Sequence, residues 1–471
     1  MEVARISASS AKVNKESDSK EVKSSWDISF LLLCLVNAID GADMALLPSS
    51  FRALEADLGL RPSMLACMTM CQGVACAASG PFWASIADHG SSRKQLIVSA
   101  TAAWGLAVCS LALISDFQMM VLIRTINGIA LGAISPVIQS LVADQARSEE
   151  RGYHFGLLGF CKTGLGGVIT SFVVTSYANA SFYGVSGWRV ACGAIGILSL
   201  MAGVVVAMFF QEPPRKLSST RPGVLVEFQK LVGYFREIPT FFVVVAQGAF
   251  GCIPFCALHF MTLFFQYLGI SDLGAATLTC LNMFGAGVGY FAGGIFGDYF
   301  AKLDPDHGRI YVAQASILFA LPLVVIIFNG VPHDTSHFHL YASLSMMLGI
   351  VCSWCEAGCN RPMLIDVVPS TSRASVFTWV YSIEWTISQL AAAPAISLLS
   401  ELCYGYTPRQ EQVWEMPEAA RIANAGALGQ SLVLCTALPW VMACLIYQLA
   451  HYTFKSDRIE GESESLIGQN H

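Results

Sequence analysis

RVACGAIGILSLMAGVVVAMFF, residues 189–210, carries a single charge, at its first position, and none after it. Wound as a helix rising about 1.5 Å per residue, this stretch is about 33 Å long, enough to cross a hydrocarbon core of about 30 Å. Working outward, eleven further runs of similar character lie at 27–48, 64–87, 95–115, 117–143, 154–177, 240–268, 274–300, 309–329, 338–363, 374–399 and 426–451. Six fall on each side of one long linker. Helices satisfy their own backbone hydrogen bonds in lipid and an open sheet edge does not, so the pattern predicts an all-α integral membrane protein with twelve transmembrane helices and no required strand.

Composition agrees. Hydrophobic residues make up 54% of the 471 positions and charged residues 13%, a balance that excludes a soluble globular enzyme. The segments expected are a polar, disordered cytosolic tail at 1–26, a six-helix bundle at 27–210, a linker at 211–239, a second six-helix bundle at 240–451 and a cytosolic tail at 452–471. In the linker, Val224, Leu225, Phe228, Leu231, Val232 and Phe235 share one side of an interfacial helix. Lysines and arginines crowd into the tails and the even-numbered loops; only Arg52, Arg61, Arg409 and Arg421 fall in the opposite loops. The positive-inside rule then puts both termini in the cytosol. The sequon Asn179-Ala180-Ser181 falls in an outer loop on that reading. Glu462-x-x-x-Leu466-Ile467 matches an acidic dileucine pattern, which leaves endolysosomal, vacuolar and plasma membranes open.

The 16 cysteines sit mostly inside spans beside Ala, Gly and Met, where they read as small apolar residues. Cys352, Cys355 and Cys359 have helical spacing but no His-rich partner segment, so no metal site and no cofactor is expected. Gly-rich stretches at GLLGFCKTGLGG (156–167) and FGAGVGYFAGG (284–294) suit helices that approach closely and move against one another. Pro48, Pro136, Pro254 and Pro394 are candidate kinks.

A weak internal repeat is visible. ASIADHGSSRK (84–94) follows the second run and GGIFGDYFAK (293–302) follows the eighth, each with a small residue four positions before an acid: Ala84 and Asp88, Gly294 and Asp298. The fourth and tenth runs end alike, in Asp144 with Arg151 and Asp366 with Arg373. Two homologous halves would place a substrate path between them. The loop charges Asp88, Arg93, Lys94, Asp144, Arg151, Asp298, Asp366 and Arg373 then read as a cytosolic gate that holds only while that side is packed shut.

These loops resemble the signature of the major facilitator superfamily, with Ala84 for its first Gly, His89 for its Arg and Tyr299 at the same place in the second copy. GADMALLP (41–48), RTINGIALGAISPVIQSLVAD (124–144), GDYFAK (297–302) and RPMLIDVVPSTSRASVFTWVYSIEW (361–385) are similar to the spinster-like branch, especially its plant and protist members. The resemblance implies two pseudo-symmetric six-helix bundles, alternating access and an amphipathic lipid substrate such as a lysophospholipid. Asn37-x-x-Asp40 resembles that branch's Asn-x-x-Asp-Arg, with Gly41 replacing the Arg, and implies that Asp40 couples to protons. Leu131 replaces the branch's Glu in the fourth helix.

Ionisable residues inside a bilayer are costly and therefore functional candidates. Asp40 and Asp43 share a helix face; the resemblance, whose fold sets helices 1 and 4 side by side, implies that either can pair with Arg124, as a coupling pair or as a permanent one. Glu384, midway along its run, is a candidate for proton or headgroup binding. Lys162 and Glu356 lie nearer the cytosolic third and suit gating or packing; His259 and Asn37 complete the candidate cavity residues. No GxSxG, HExxH or phosphate-binding glycine loop is present. The reading is a secondary transporter and not an enzyme, with a small-molecule or lipid substrate, protons and the bilayer as partners and no nucleic acid. A small organic anion or sugar as substrate, or a non-transporting sensor on the same fold, stays open.

Overall fold

A computed structural model describes residues 28–88, 91–145, 151–212, 223–369 and 373–467. The 1–26 tail, the side chains of Asp88, Asp144 and Arg151, and those of Glu462, Leu466 and Ile467 lie outside what it describes.

Among the described residues, eleven helices are long and apolar enough to cross a membrane: α1 (Ile28–Ser49), α2 (Pro62–Ala87), α3 (Arg93–Leu111), α4 (Phe117–Val142), α5 (Tyr153–Tyr177), α6 (Gly187–Phe209), α7 (Pro239–Tyr267), α8 (Asp272–Leu303), α9 (Gly308–Gly330), α11 (Ser375–Cys403) and α12 (Glu418–Arg458). The twelfth, α10, is Phe338–Cys352 continued after a break by a π-helical turn, Glu356–Asn360, and by Arg361–Val367. Together they are the twelve-helix membrane architecture expected. Helix starts are set by side chains that take up orphan amides: Ser92 accepts from Gln95 N, Asp116 from Met119 N and Ser271 from Gly274 N. The sequence requires no strand, and the described residues hold one small hairpin, Ser181–Phe182 with Val185–Ser186, in the loop between α5 and α6 where no lipid-facing edge results.

Helices α1–α6 and α7–α12 form two bundles that meet along α2 against α11 and α5 against α8. Chain direction defines two faces. The terminal face is where α1 begins and α12 ends; the far face is opposite. Regular helix gives way at several sites inside the spans. Pro254 precedes a 3-10 turn at Leu258–Phe260, Pro394 precedes a π segment at Leu398–Cys403, and α5 is π-helical over Phe160–Gly167. π-helical turns inside α-helices recur at functional sites, and a tight 3-10 stretch within a helix often marks a hinge.

The cysteines pack within this frame. Cys359 Sγ lies 2.8 Å from the Arg309 carbonyl and Cys355 Sγ 3.6 Å from that of Ala313.

Candidate functional site

Two acidic side chains on α1 take different partners. Asp43 is buried with Arg124 of α4, its Oδ1 3.7 Å from Nη1. Gln72 of α2 donates to Asp43 Oδ2 at 2.9 Å and Asn127 donates to Oδ1 at 3.4 Å, while Arg124 also donates to Gln72. Asp43, Arg124 and Asn127 expose nothing, so this cluster is sealed from solvent.

Asp40, one turn earlier, is instead paired with Lys162 of α5 at 2.7 Å, and Lys162 retains 29% exposure. The sequence left Arg124 open to either acid; the structure gives it to Asp43. Lys162, expected nearer the cytosolic third among gating or packing residues, meets Asp40 within the spans. Its π-helical stretch accounts for the difference, because each wide turn rotates following side chains about the axis relative to an α-helix. Close approach does the rest. A Cβ on Gly41 would collide with the Lys162 carbonyl, and one on Gly166 with that of Ala38. Gly41 stands where the resemblance expects Arg, and an Arg side chain has no room there. The cation beside Asp40 comes from α5. Asn37 donates to the Leu158 carbonyl at 3.2 Å and ties the same two helices.

In the second bundle, Glu356 opens the π-helical turn of α10 and pairs with Arg361 at 2.7 Å, the two being 37% and 62% exposed. Glu384 of α11 is buried with its carboxyl against Gly248 of α7, and its charged neighbours are Glu356 and Arg361. Tyr381, one helical turn from Glu384, is within electrostatic range of Asp40 in the first bundle and of Arg361 in the second. His259 sits half-buried in the 3-10 turn of α7.

At the terminal face several of the expected loop charges have partners close by. Arg93 pairs with Glu212 at 3.4 Å, and the amides of Arg93 and Lys94 donate to the same carboxylate. Burial pushes Glu212 up, but the bonds from Ser92, both amides and the guanidinium outweigh it and hold the carboxyl below its ordinary range. Asp298 pairs with Arg309 at 2.9 Å, and Arg373 donates to the Ile365 and Val368 carbonyls. Asp366 is on the helix Arg361–Val367 beside them.

The far face is held across the bundles by residues that sequence reading passed over. Arg52 and Glu55, in the short helix Phe51–Leu58, are both buried. Arg52 donates to the carbonyls of Arg409 (2.9 Å) and Glu411, while Glu55 accepts from Tyr267, Tyr406 and the Arg409 amide. Ser63 N donates to Glu401 at 2.6 Å, and Asn179 of the sequon donates to Asp272 at 3.0 Å. The signal was an Arg and a Glu three apart in a helix whose other side chains include Phe51, Ala53 and Leu54. Arg52 alone entered the sequence reading, as outer-loop charge.

Two six-helix bundles clasped at one face, each with an ion pair of its own within the spans, are the architecture of a membrane transporter. A family model described as the Major Facilitator Superfamily matches residues 33–393, and the chain belongs to that family. The hexuronate transporter of Bacillus subtilis (strain 168) is 24% identical over 327 residues, covering 67% of this chain and 75% of the relative. The cis,cis-muconate transport protein of Acinetobacter baylyi is 23% identical over 394 residues, covering 81% and 88%. A solved bacterial homologue of the human lysosomal transporter Spinster, inward-facing and unoccupied, superposes with a TM-score of 0.79 at 20% identity over 92% of this chain and 98% of that one. That likeness is one of fold.

Proposed function

We propose that the chain carries a small organic anion together with protons, that Lys162 receives the substrate's anionic group and that Asp40 carries a proton. The observation that carries this reading is the Asp40–Lys162 pair, 2.7 Å apart, with Asp40 buried and Lys162 keeping 29% exposure. A substrate carboxylate competes with Asp40 for the ammonium. Once displaced, Asp40 is a carboxylate in a poorly solvated site without its cation, and taking a proton relieves that cost. The loaded site then differs from the empty one in both substrate and proton, which is the differential binding that lets both bias one conformational equilibrium. The sealed Asp43–Arg124 cluster serves as the fixed joint between α1, α2 and α4. The hexuronate and muconate carriers among the relatives handle carboxylates by name, in keeping with a cationic substrate site.

The terminal face is read as cytosolic, with both termini there, from the distribution of basic loops. With the far face clasped, the site would then open inward, and the terminal-face charges would form their cross-bundle gate in the opposite state. A lysophospholipid or other anionic amphiphile is a second reading. It is favoured by exposed aromatic side chains on the two helices that meet across the bundles, Tyr153 and Phe160 on α5 and Phe291 and Tyr299 on α8.

Uptake into proteoliposomes tests both. With an inward proton gradient, hexuronate, muconate and a lysophospholipid are offered to wild type, Asp40→Asn and Lys162→Gln. Gradient-stimulated uptake of a carboxylate, lost in both variants, is expected. Uptake of the lysophospholipid alone would move the substrate to the amphiphile class. Binding without uptake by any gradient would make the chain a sensor.

A further inference from the structure

The second bundle contains a cavity that the transport reading does not use. It has a volume of about 380 Å³ and lies at the far-face end of α9, α11 and α12, lined by Asn329, His333, Tyr404, Gln430, Val433 and Leu434. Small-molecule sites run from about 300 to 1,000 Å³. Two local features set its shape. The π-helical turn Ile326–Gly330 ends α9, and its Phe328 carbonyl accepts from His333 Nε2 at 3.1 Å; α12 brings Gly429 against the same carbonyl, where a Cβ would crowd it. No Asp, Glu, Lys or Arg lines the cavity. The side-chain amides of Asn329 and Gln430 and the Tyr404 hydroxyl have no hydrogen-bond partner among the described residues, so three neutral polar groups around one cavity stand ready for a ligand.

The surface beside the cavity indicates what kind of ligand fits. One turn deeper than Asn329 on α9, Val325 and Ile326 are exposed; deeper than Gln430 on α12, Leu434, Leu438 and Val441 are exposed at the spacing that keeps them on one helix face. Apolar side chains exposed within a span meet lipid tails. We propose that the cavity binds a lipid of the far-face leaflet with an uncharged, polyhydroxyl headgroup, such as a hexosyl diacylglycerol. Its hydroxyls bond Asn329, Gln430 and Tyr404, and a chain lies along Leu434 and Leu438. A phosphate head would bring charge to a wall that offers no cation. A sterol, with one hydroxyl, would leave most of the polar groups unmet. The site does not depend on which solute the protein carries. Its position ties it to the far-face clasp. Tyr404 lies two residues before Tyr406, which reaches Glu55 of the first bundle, and the loop between them and α12 is pinned by Asn424, which donates to the Thr407 carbonyl at 2.8 Å and accepts from its amide at 3.0 Å. A head bound against Tyr404 steadies that loop and, through it, the shut far face.

The test uses full-length protein in phosphatidylcholine nanodiscs doped in turn with galactosyl diacylglycerol, phosphatidylglycerol or cholesterol, with the retained lipid read by native mass spectrometry. Wild type is expected to retain the galactolipid over the other three. Asn329→Leu combined with Gln430→Leu removes two neutral hydrogen-bonding partners and should cut that preference by about 5- to 150-fold. Tyr404→Phe, which removes only a hydroxyl, should cut it less and serves where the double variant does not fold. Retention of phosphatidylglycerol or cholesterol instead, no preference, or a preference that survives in every folded variant would overturn the site. Binding of methyl galactoside as tightly as the galactolipid would overturn the lipid assignment. Spin labels on the far-face loops of the two bundles should report a larger shut population with the galactolipid present; no change would overturn the link to the clasp and leave the lipid site standing.

Discussion

The Tyr406 hydroxyl donates a 2.7 Å hydrogen bond to Oε1 of Glu55, joining the loop between α11 and α12 to the short helix after α1 across the gap between bundles. The same oxygen accepts from Tyr267 at 2.8 Å and from the Arg409 amide at 3.1 Å, so one carboxylate gathers three donors from the second bundle. Opening the far face must break all three.

Tyr406→Phe removes one donor and leaves the buried carboxylate less satisfied, a loss of about 1–3 kcal/mol. The clasp exists only in the shut state, so that loss shifts the balance toward far-face opening by about 5- to 150-fold. Spin labels at Arg61 and Trp414, in far-face loops of different bundles, should show a longer-distance population in the variant. An unchanged distance distribution would mean the clasp does not control this face.

Glu55 also gives the far face a pH dependence. Burial pushes its carboxyl above the usual range despite Arg52, the two tyrosine hydroxyls and the Arg409 amide. The shut state therefore binds the proton more tightly than an open, hydrated one. By linkage, that contribution to the shut state is fully present below the ordinary carboxylate value and is lost as pH rises through the raised one. The Arg61–Trp414 distance should lengthen on alkalinisation, and the response should vanish in Glu55→Gln. Lengthening on acidification would contradict the assignment.

The sealed pair on α1 and α4 should behave as a joint. Arg124→Gln leaves Asp43 charged and buried among Gln72 and Asn127, at a cost of about 3–5 kcal/mol. Asp43→Asn combined with Arg124→Gln removes both charges and should regain most of the lost thermal stability, with measurable uptake. A double variant more damaged than either single one would place this pair in the transport step.

Fold and site were unequally legible in the sequence. Runs such as 189–210 announce a membrane helix because length and hydropathy alone decide whether a segment can span, and the twelve-helix architecture followed from counting them. The tenth run concealed its break at 353–360, since hydropathy does not register a widened turn. Asp40 and Glu384 stand out in the sequence because charge in lipid is conspicuous. Their partners were not, because pairing depends on helix rotation: an ideal 3.6-residue wheel misplaces Lys162 once the 160–167 stretch becomes π-helical. Arg52 and Glu55 escaped for a different reason. Their burial is created by chain some 350 positions later in the sequence, at Tyr406 and Arg409.

The contact between α1 and α5 gives the sharpest test of how the Asp40–Lys162 pair is positioned. Gly166 lies so close to α1 that a Cβ there would overlap the Ala38 carbonyl, two residues before Asp40, whereas Gly156 on the same span has nothing within 4 Å of where its Cβ would be. Adding one methyl in the first place forces backbone apart, at about 1–3 kcal/mol; adding it in the second removes a helix-interior glycine and is worth up to about 1 kcal/mol in the favourable direction. Gly166→Ala should therefore lower thermal stability and cut uptake more steeply than stability alone explains, because moving α1 away from α5 stretches the 2.7 Å ion pair. Gly156→Ala should leave uptake intact. Equal losses in both would mean that α5 needs glycine for flexibility along its length and not for contact with α1.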